Sequence, residues 1–268
     1  MVLENSFNKL IKARHGTILY NKNDIYIGKS IEKYGEFSYL EAKIFEQICK
    51  AGDVVIEVGA NIGAHTLYLS KLVGNGFVFA FEPQRLVFQN LCANLALNSI
   101  SNVFAYQEAV SNENGTIIIP ECNFKENNNF GGINIENTKN GRTVNKQKLD
   151  NFLNKINRLK LLKIDVEGME ISVIKGASEL IKKFRPMIYV ENDRQEHSKE
   201  LIELLWSLDY KMYWHLPKLY NENNFFNDKE NIFGNIVSVN MFCIHKDSNI
   251  KILDMTEVLD SSFHPMKR

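Results

Sequence analysis

From Asp53 onward the chain alternates short, continuous apolar runs with amphipathic stretches, and this alternation limits the folds open to it. The runs are Val54–Val58, Phe77–Phe81, Val103–Val110, Leu159–Ile164, Met187–Val190, Tyr210–Trp214 and Ile236–Ile244. Between them lie helical patterns at Ile62–Val73, Gln84–Leu97, Glu170–Phe184 and Ser198–Leu208. Strands that lack polar alternation are buried on both faces, as in a parallel sheet covered by helices. The pattern predicts an α/β, Rossmann-like domain with helices on both faces of its sheet.

The remaining segments arrange themselves around that domain. Residues 1–50 read as a prelude: a helix over Glu4–Ala13, small strands at Thr17–Tyr20 and Ile25–Ile27, then a helix from Ser38 to Lys50 with Glu41 completing a capping box. The domain proper spans about 51–250, with a tail over 251–268. It carries insertions at 111–150, with hairpin-like pieces at Thr116–Ile119 and Gly132–Ile135, and at 217–235. Both are too long for plain connectors and too aromatic for linkers, so they read as ordered. Lys+Arg and Asp+Glu both count 32, which gives no support for a polybasic nucleic-acid or membrane binder. The four cysteines contain no CxxC pair and read as buried free thiols. No apolar run approaches the ~18–20 residues that span a bilayer. The segment MVLENSFNKLIKARHG lacks a signal peptide's apolar core, so a cytoplasmic location is expected. The oligomeric state stays open, a homodimer included.

The strongest local signal joins the first strand to its helix: Glu57-Val58-Gly59-Ala60-Asn61-Ile62-Gly63. Glycines at 59 and 63 allow a tight turn and close ligand approach. A dinucleotide pyrophosphate wants three glycines in GxGxxG spacing. Here there are two, and Glu57 ends the strand where a carboxylate meets an ammonium, which suits the amino-acid end of S-adenosylmethionine better. Glu82 ends the second strand, where an acid accepts from both ribose hydroxyls. The third strand ends in Gln107-Glu108-Ala109, the place for a group facing adenine; whether Gln107 or Glu108 does so is open. Tyr34-Gly35-Glu36 is a candidate lid over the cofactor.

VIEVGANIGAHTLYLSKLVGNGFVFAFEPQ, LLKIDVEGMEISVIKGA and PMIYVENDR resemble the FkbM-type class I S-adenosylmethionine-dependent methyltransferases over about residues 34–245. The resemblance implies a seven-stranded sheet with its last strand antiparallel, and methyl transfer usually to a hydroxyl oxygen. Position by position it aligns Glu57, Gly59, Asn61 and Gly63 with the cofactor turn, Glu82 with the ribose acid, and Asp165 with the acid after strand four. It does not supply the acceptor.

Ligands of open α/β sheets bind beyond the carboxyl ends of the strands. Asp165 and Glu167 follow the fourth strand, and Glu191-Asn192-Asp193-Arg194 the fifth. In one reading Asp165, Glu191 and Asn192 hold a divalent cation such as Mg2+, which acidifies an acceptor hydroxyl. In another, a carboxylate or His215 is the general base. In a third these residues only cap helices and form ion pairs. Asn192, Asp193 and Arg194, with Trp214 at the end of its strand and Asn223 and Asn224 of the aromatic and amide-rich loop, face the expected acceptor, a sugar or other polyhydroxylated molecule or glycan. N- or carboxyl-methylation, a NAD-dependent oxidoreductase and a silent nucleotide-binding module are the alternatives.

Overall fold

The computed structural model describes residues 3–133, 138 and 140–267. The chain opens with strands β1 (Leu3–Glu4), β2 (Asn8–Ala13) and β3 (Gly16–Asn21), then helices α1 (Ile27–Tyr34) and α2 (Tyr39–Ile48). The alternating part runs β4 (Val54–Val58), α3 (Thr66–Val73), β5 (Phe77–Phe81), α4 (Arg85–Leu97) and β6 (Val103–Tyr106). A small side sheet contains β7 (Ala109–Val110), β8 (Gly115–Ile119) and β9 (Arg142–Gln147). The main sheet resumes with β10 (Leu161–Ile164), α5 (Glu170–Gly176), α6 (Ser178–Phe184), β11 (Met187–Glu191) and α7 (Gln195–Ser207). It ends with β12 (Tyr210–His215), β13 (Asn240–His245) and β14 (Thr256–Glu257).

The main sheet has the order β14-β12-β13-β11-β10-β4-β5-β6. β6, β5, β4, β10 and β11 are parallel neighbours, and β13 runs antiparallel to both β11 and β12. Seven strands with one reversed match the expectation; the two-residue β14 adds an eighth at the edge. The unalternating apolar runs follow from double burial. Val54, Ile56 and Val58 join the core under α5–α7, while Val55 joins the opposite core with Phe45 of α2 and Leu69 of α3. No helix among the described residues is long and apolar enough to cross a membrane.

Several sequence expectations need correction. The expected helix over Glu4–Ala13 is instead an antiparallel hairpin, with Ala13 facing Gly16 across a two-residue turn. The expected strand at Ile25–Ile27 is a turn fixed by Asp24, whose Oδ1 accepts the Tyr26 N–H at 2.9 Å, and Ile27 begins α1. Ser38 is the N-cap of α2 as expected, but it sits in the left-handed region and its hydroxyl donates to Glu41 Oε1 at 2.6 Å instead of accepting a helix N–H. α3 starts at Thr66 rather than Ile62, because Asn61 and Gly63 have positive φ angles of 50° and 86°. The third strand breaks after Tyr106, and Ala109–Val110 pair with Lys146–Gln147 of the side sheet. The helix over Glu170–Phe184 divides at Ala177 into α5 and α6. Cys49 and Cys243 are buried free thiols, but Cys92 is exposed and Cys122 half-buried. Thr116–Ile119 falls within β8; half of the second expected piece, Gly132–Ile135, lies outside the described residues.

The N-terminal hairpin docks through α4. Asn90, Asn94 and Asn98 recur at four-residue spacing and so share one helix face, about 6 Å apart. Residues i and i+2 of a strand repeat at nearly the same distance, about 6.7 Å. Asn98 accordingly accepts from Thr17 N–H at 2.9 Å and donates to Thr17 O at 2.7 Å. Asn94 does the same for Leu19, at 2.6 and 3.0 Å. The two amides take the place of a neighbouring strand for β3. Asn94 is fully buried and also donates to Ile62 O at 2.8 Å, tying the hairpin to the loop after β4. Asn94→Ala should therefore destabilise the protein by about 2–3 kcal/mol, since it strands buried backbone groups. Urea unfolding monitored by far-ultraviolet circular dichroism measures this, and an unchanged midpoint contradicts the docking role.

Candidate active site

β4 ends where the chain must turn sharply beside β10. Gly59 has φ +83°, and a Cβ there would lie 1.7 Å from the Asp165 carbonyl oxygen, so only glycine lets the two strand ends close together. Asn61 follows in the left-handed region, which asparagine tolerates better than most residues. Its backbone N–H donates to Glu82 Oε2 at 3.0 Å, and the Gln84 N–H donates to Oε1 at 2.8 Å. Glu82 is thus a buried carboxylate clamped to the turn, 3% exposed, rather than a solvated loop acid. Burial pushes its carboxyl up to about 7 against the pull of those two amides. Gly63 lies behind the turn, where a Cβ would come within 2.7 Å of Leu91 Cδ1; it serves the packing of the turn on α4.

The turn forms one wall of a cavity of about 420 Å3. Gly59, Asn61 and Glu82 line one side, and Asp165, Glu167, Glu191, Asp193 and Arg194 the other. Between them lies Lys163, 2% exposed, a charge inside an otherwise apolar strand. Its Nζ is 3.2 Å from Asp165 Oδ2 and 3.9 Å from Glu57 Oε1. Burial works against the charged lysine, but Asp165, Glu57 and Glu41 outweigh it and hold the amine protonated. Glu57 also accepts from Thr66 Oγ1 at 2.7 Å. Glu57 thus has a protein ammonium beside it while still lining the cavity, and Asp165, with 41% of its side chain exposed, lines the same cavity.

One carboxylate oxygen from each of Asp165, Glu167 and Glu191 can be chosen so that all three lie within 4.8 Å of one another. Arg194 restrains the group: its Nη2 is 2.6 Å from Glu167 Oε2 and its Nε 3.5 Å from Asp193 Oδ1. Burial, with help from Asp165 and Asp193, pushes the Glu167 carboxyl up to about 8 despite Arg194. Burial and the neighbouring Asp165 and Glu167 push Glu191 well above the usual carboxylate range, and its buried Oε2 has no hydrogen-bond partner. Burial and mutual repulsion thus favour the protonated forms of Glu167 and Glu191.

Other expected site residues are placed elsewhere. Asn192 stays out of the lining, its side-chain amide donating to Ser198 Oγ at 3.0 Å and its backbone carbonyl pairing with His264 Nε2 at 2.8 Å, while Glu167 joins Asp165 and Glu191 in the acidic cluster. His215 lies behind the cavity wall, its Nδ1 2.7 Å from the Tyr189 hydroxyl, and burial lowers its basicity. Trp214 packs against Phe263 and His264. The Asn223 carbonyl receives Arg14, and the buried Asn224 amide ties Asn221 O to Asp228 O within the loop. Tyr34 fastens the same loop, donating to Glu230 O and accepting from Ile232 N–H, both at 2.9 Å. Gln107, Glu108 and Ala109 stay out of the lining: Gln147 donates to Glu108, and Ala109 pairs in the side sheet. Pro83, Gln84, Asn129 and Gly131–Ile133 bound that part of the cavity instead. Sequence reasoning left Glu41 and His65 out of the site and took Lys163 only as an ion-pair partner of the acids, a pairing the structure shows with Asp165. A lysine within LLKI and a histidine directly after the glycine turn were the available signals.

A family model described as the methyltransferase FkbM domain matches residues 57–212, more than half of the chain. The methyltransferase sdnD of Sordaria araneosa is 27% identical over 181 residues, covering 54% of this chain and 70% of that protein. The hexuronic acid methyltransferase AglP of Haloferax volcanii is 26% identical over 175 residues, covering 65% and 69%. Among solved structures, methyltransferase FkbM from Methylobacillus flagellatus KT aligns with a TM-score of 0.46 at 17% identity, over 76% of this chain and 50% of that one. The TYW2 protein of M. jannaschii, solved in complex with AdoMet, aligns with a TM-score of 0.47 at 14% identity, over 91% and 88%. The matched segment runs from the glutamate of the glycine turn to the middle of β12 and takes in the whole carboxylate cluster: the chain belongs to the FkbM methyltransferase domain family.

Proposed function

We propose that this methyltransferase uses S-adenosylmethionine and methylates a hydroxyl oxygen of a sugar or another polyhydroxylated small molecule or glycan. The observation that carries the reading is the sharing of one cavity by the Glu82-clamped glycine turn and the Asp165–Glu167–Glu191 cluster. S-adenosylmethionine, when bound, supplies an activated methyl group on a good leaving group. Glu82 offers two fixed acceptor oxygens to a ribose diol. Asp165 and Glu191 stand across the cavity, where an acceptor hydroxyl would be aligned. The new C–O bond forms as the S–C bond breaks, and the hydroxyl proton passes to one of these carboxylates. A carboxylate with a raised pKa is the better proton acceptor near neutrality. A sulfonium charge beside the cluster favours its ionised, base-competent form. Alignment alone can lower the barrier by ~7–11 kcal/mol. The relative named as a hexuronic acid methyltransferase supports a sugar-type acceptor.

The carboxylate trio also supports a metal-assisted variant of the same reaction. Three oxygens within 4.8 Å suit a hard divalent cation such as Mg2+, held by Asp165, Glu167 and Glu191. Such an ion would acidify the acceptor hydroxyl in place of a base. Lys163 and Arg194 already neutralise part of the cluster, which favours the metal-free route.

Methyl-labelled S-adenosylmethionine, incubated with the protein and fractionated cell extract, should label a glycan or polyhydroxylated small molecule. Label that survives EDTA supports the carboxylate base, loss of label on chelation supports the metal variant, and label on amines or carboxylates alone contradicts hydroxyl transfer. Asp165→Asn should abolish turnover while sparing cofactor binding; a fully active variant removes Asp165 from the reaction centre. S-adenosylhomocysteine affinity should rise with pH through about 7, as Glu82 ionises and can accept from both ribose hydroxyls. Calorimetric titration across that range checks this. Glu82→Gln should weaken binding by about 1–3 kcal/mol and flatten the profile.

A further inference from the structure

The segment after β13 returns to the reaction end of the sheet, and the mechanism above does not use it. β14 pairs with β12, and the buried Val258 donates its N–H to Met212 O at 2.8 Å and joins the main core. From that anchor the chain reaches the loop after β11. His264, 3% exposed, packs edge-on against Trp214 and places Nε2 2.8 Å from the Asn192 carbonyl oxygen. Its other ring nitrogen, Nδ1, accepts the Met266 N–H at 3.2 Å. An acceptor at Nδ1 puts the proton of the neutral ring on Nε2, so His264 donates to Asn192. The histidine does not itself line the cavity.

Asn192 is pinned on three sides. Its N–H donates to Val239 O at 2.7 Å, its side-chain amide donates to Ser198 Oγ at 3.0 Å, and its carbonyl receives His264. Along an extended chain, neighbouring side chains point to opposite sides and every second one to the same side. Glu191 and Asp193 accordingly line the cavity, and Asn192 between them does not. The Asn192 carbonyl belongs to the rigid peptide plane that leads into Asp193. Holding that oxygen therefore sets the direction of Asp193 and, one residue on, of Arg194, whose Nη2 is 2.6 Å from Glu167 Oε2. We propose that His264 is a positioning residue for methyl transfer: its donation to the Asn192 carbonyl keeps Glu191 and Asp193 aimed into the cavity. This rests on the reading of the carboxylate cluster above. It also gives a segment that lies beyond the residues matching the family a share in the active site.

His264→Phe keeps a ring beside Trp214 and removes the donor, whereas His264→Gln restores an N–H near the position of Nε2. Transfer from methyl-labelled S-adenosylmethionine is measured on the extract fraction that the wild type labels. Rates are expressed per site that binds S-adenosylhomocysteine in calorimetric titration, so that loss of folded protein does not count. His264→Phe should lower the maximal rate at least about tenfold while KM for S-adenosylmethionine stays within about twofold, since a small misplacement of reacting groups costs rate rather than cofactor binding. His264→Gln should recover most of that rate. Should the phenylalanine variant fail to fold, His264→Asn, whose amide is too short to reach the Asn192 carbonyl, carries the same expectation. A wild-type rate per site without the donor, or a rate lost equally with phenylalanine and glutamine, overturns the assignment. Full activity in both Glu191→Gln and Asp193→Asn overturns instead the reading of the carboxylate cluster, and a wild-type chain that labels no fraction overturns methyl transfer itself.

Discussion

The site depends on the contact between Gly59 and the backbone of Asp165. These two residues end adjacent parallel strands, and the absence of a side chain at 59 lets the carbonyl of 165 occupy the space a Cβ would need. That approach sets the glycine turn against the fourth-strand acids within one cavity. The Glu82 carboxylate then locks the turn from the other side by accepting from Asn61 and Gln84. The glycine turn and the carboxylate cluster are thus two faces of one backbone junction.

Charge is distributed so that the cavity is poised for a cationic guest. Lys163 and Arg194 lie among seven carboxylates, of Glu41, Glu57, Glu82, Asp165, Glu167, Glu191 and Asp193, that line the same space. Burial raises several of these acids, so that the unliganded cavity stores protons in place of excess negative charge. On the proposed function, the sulfonium of S-adenosylmethionine would meet that demand directly.

Much of this was legible in the sequence because the strands carry double burial in their composition. Val54–Val58 and Phe77–Phe81 run from end to end as read, and Asp165, Glu167 and Glu191 converge because their strands are neighbours. The N-terminal hairpin was not legible, since β3 is completed by amides of α4 more than 70 residues away, a partnership with no local periodicity. Gln107–Ala109 misled because the main-sheet strand stops at Tyr106, while an apolar run cannot show that its next residues pair in another sheet. His215, Asn223 and Asn224 are polar residues near aromatic ones, a pattern shared by ligand contacts and loop fasteners. Only the partners Tyr189, Asn221 and Asp228 separate the two.

The most direct measurement is a crystal structure with S-adenosylhomocysteine bound. Both ribose hydroxyls are expected on the Glu82 carboxylate, with the nucleoside lying along Gly59–Asn61 and the thioether sulfur facing Asp165 and Glu191. A nucleoside bound away from Glu82, or a sulfur turned from the carboxylate cluster, would contradict that placement.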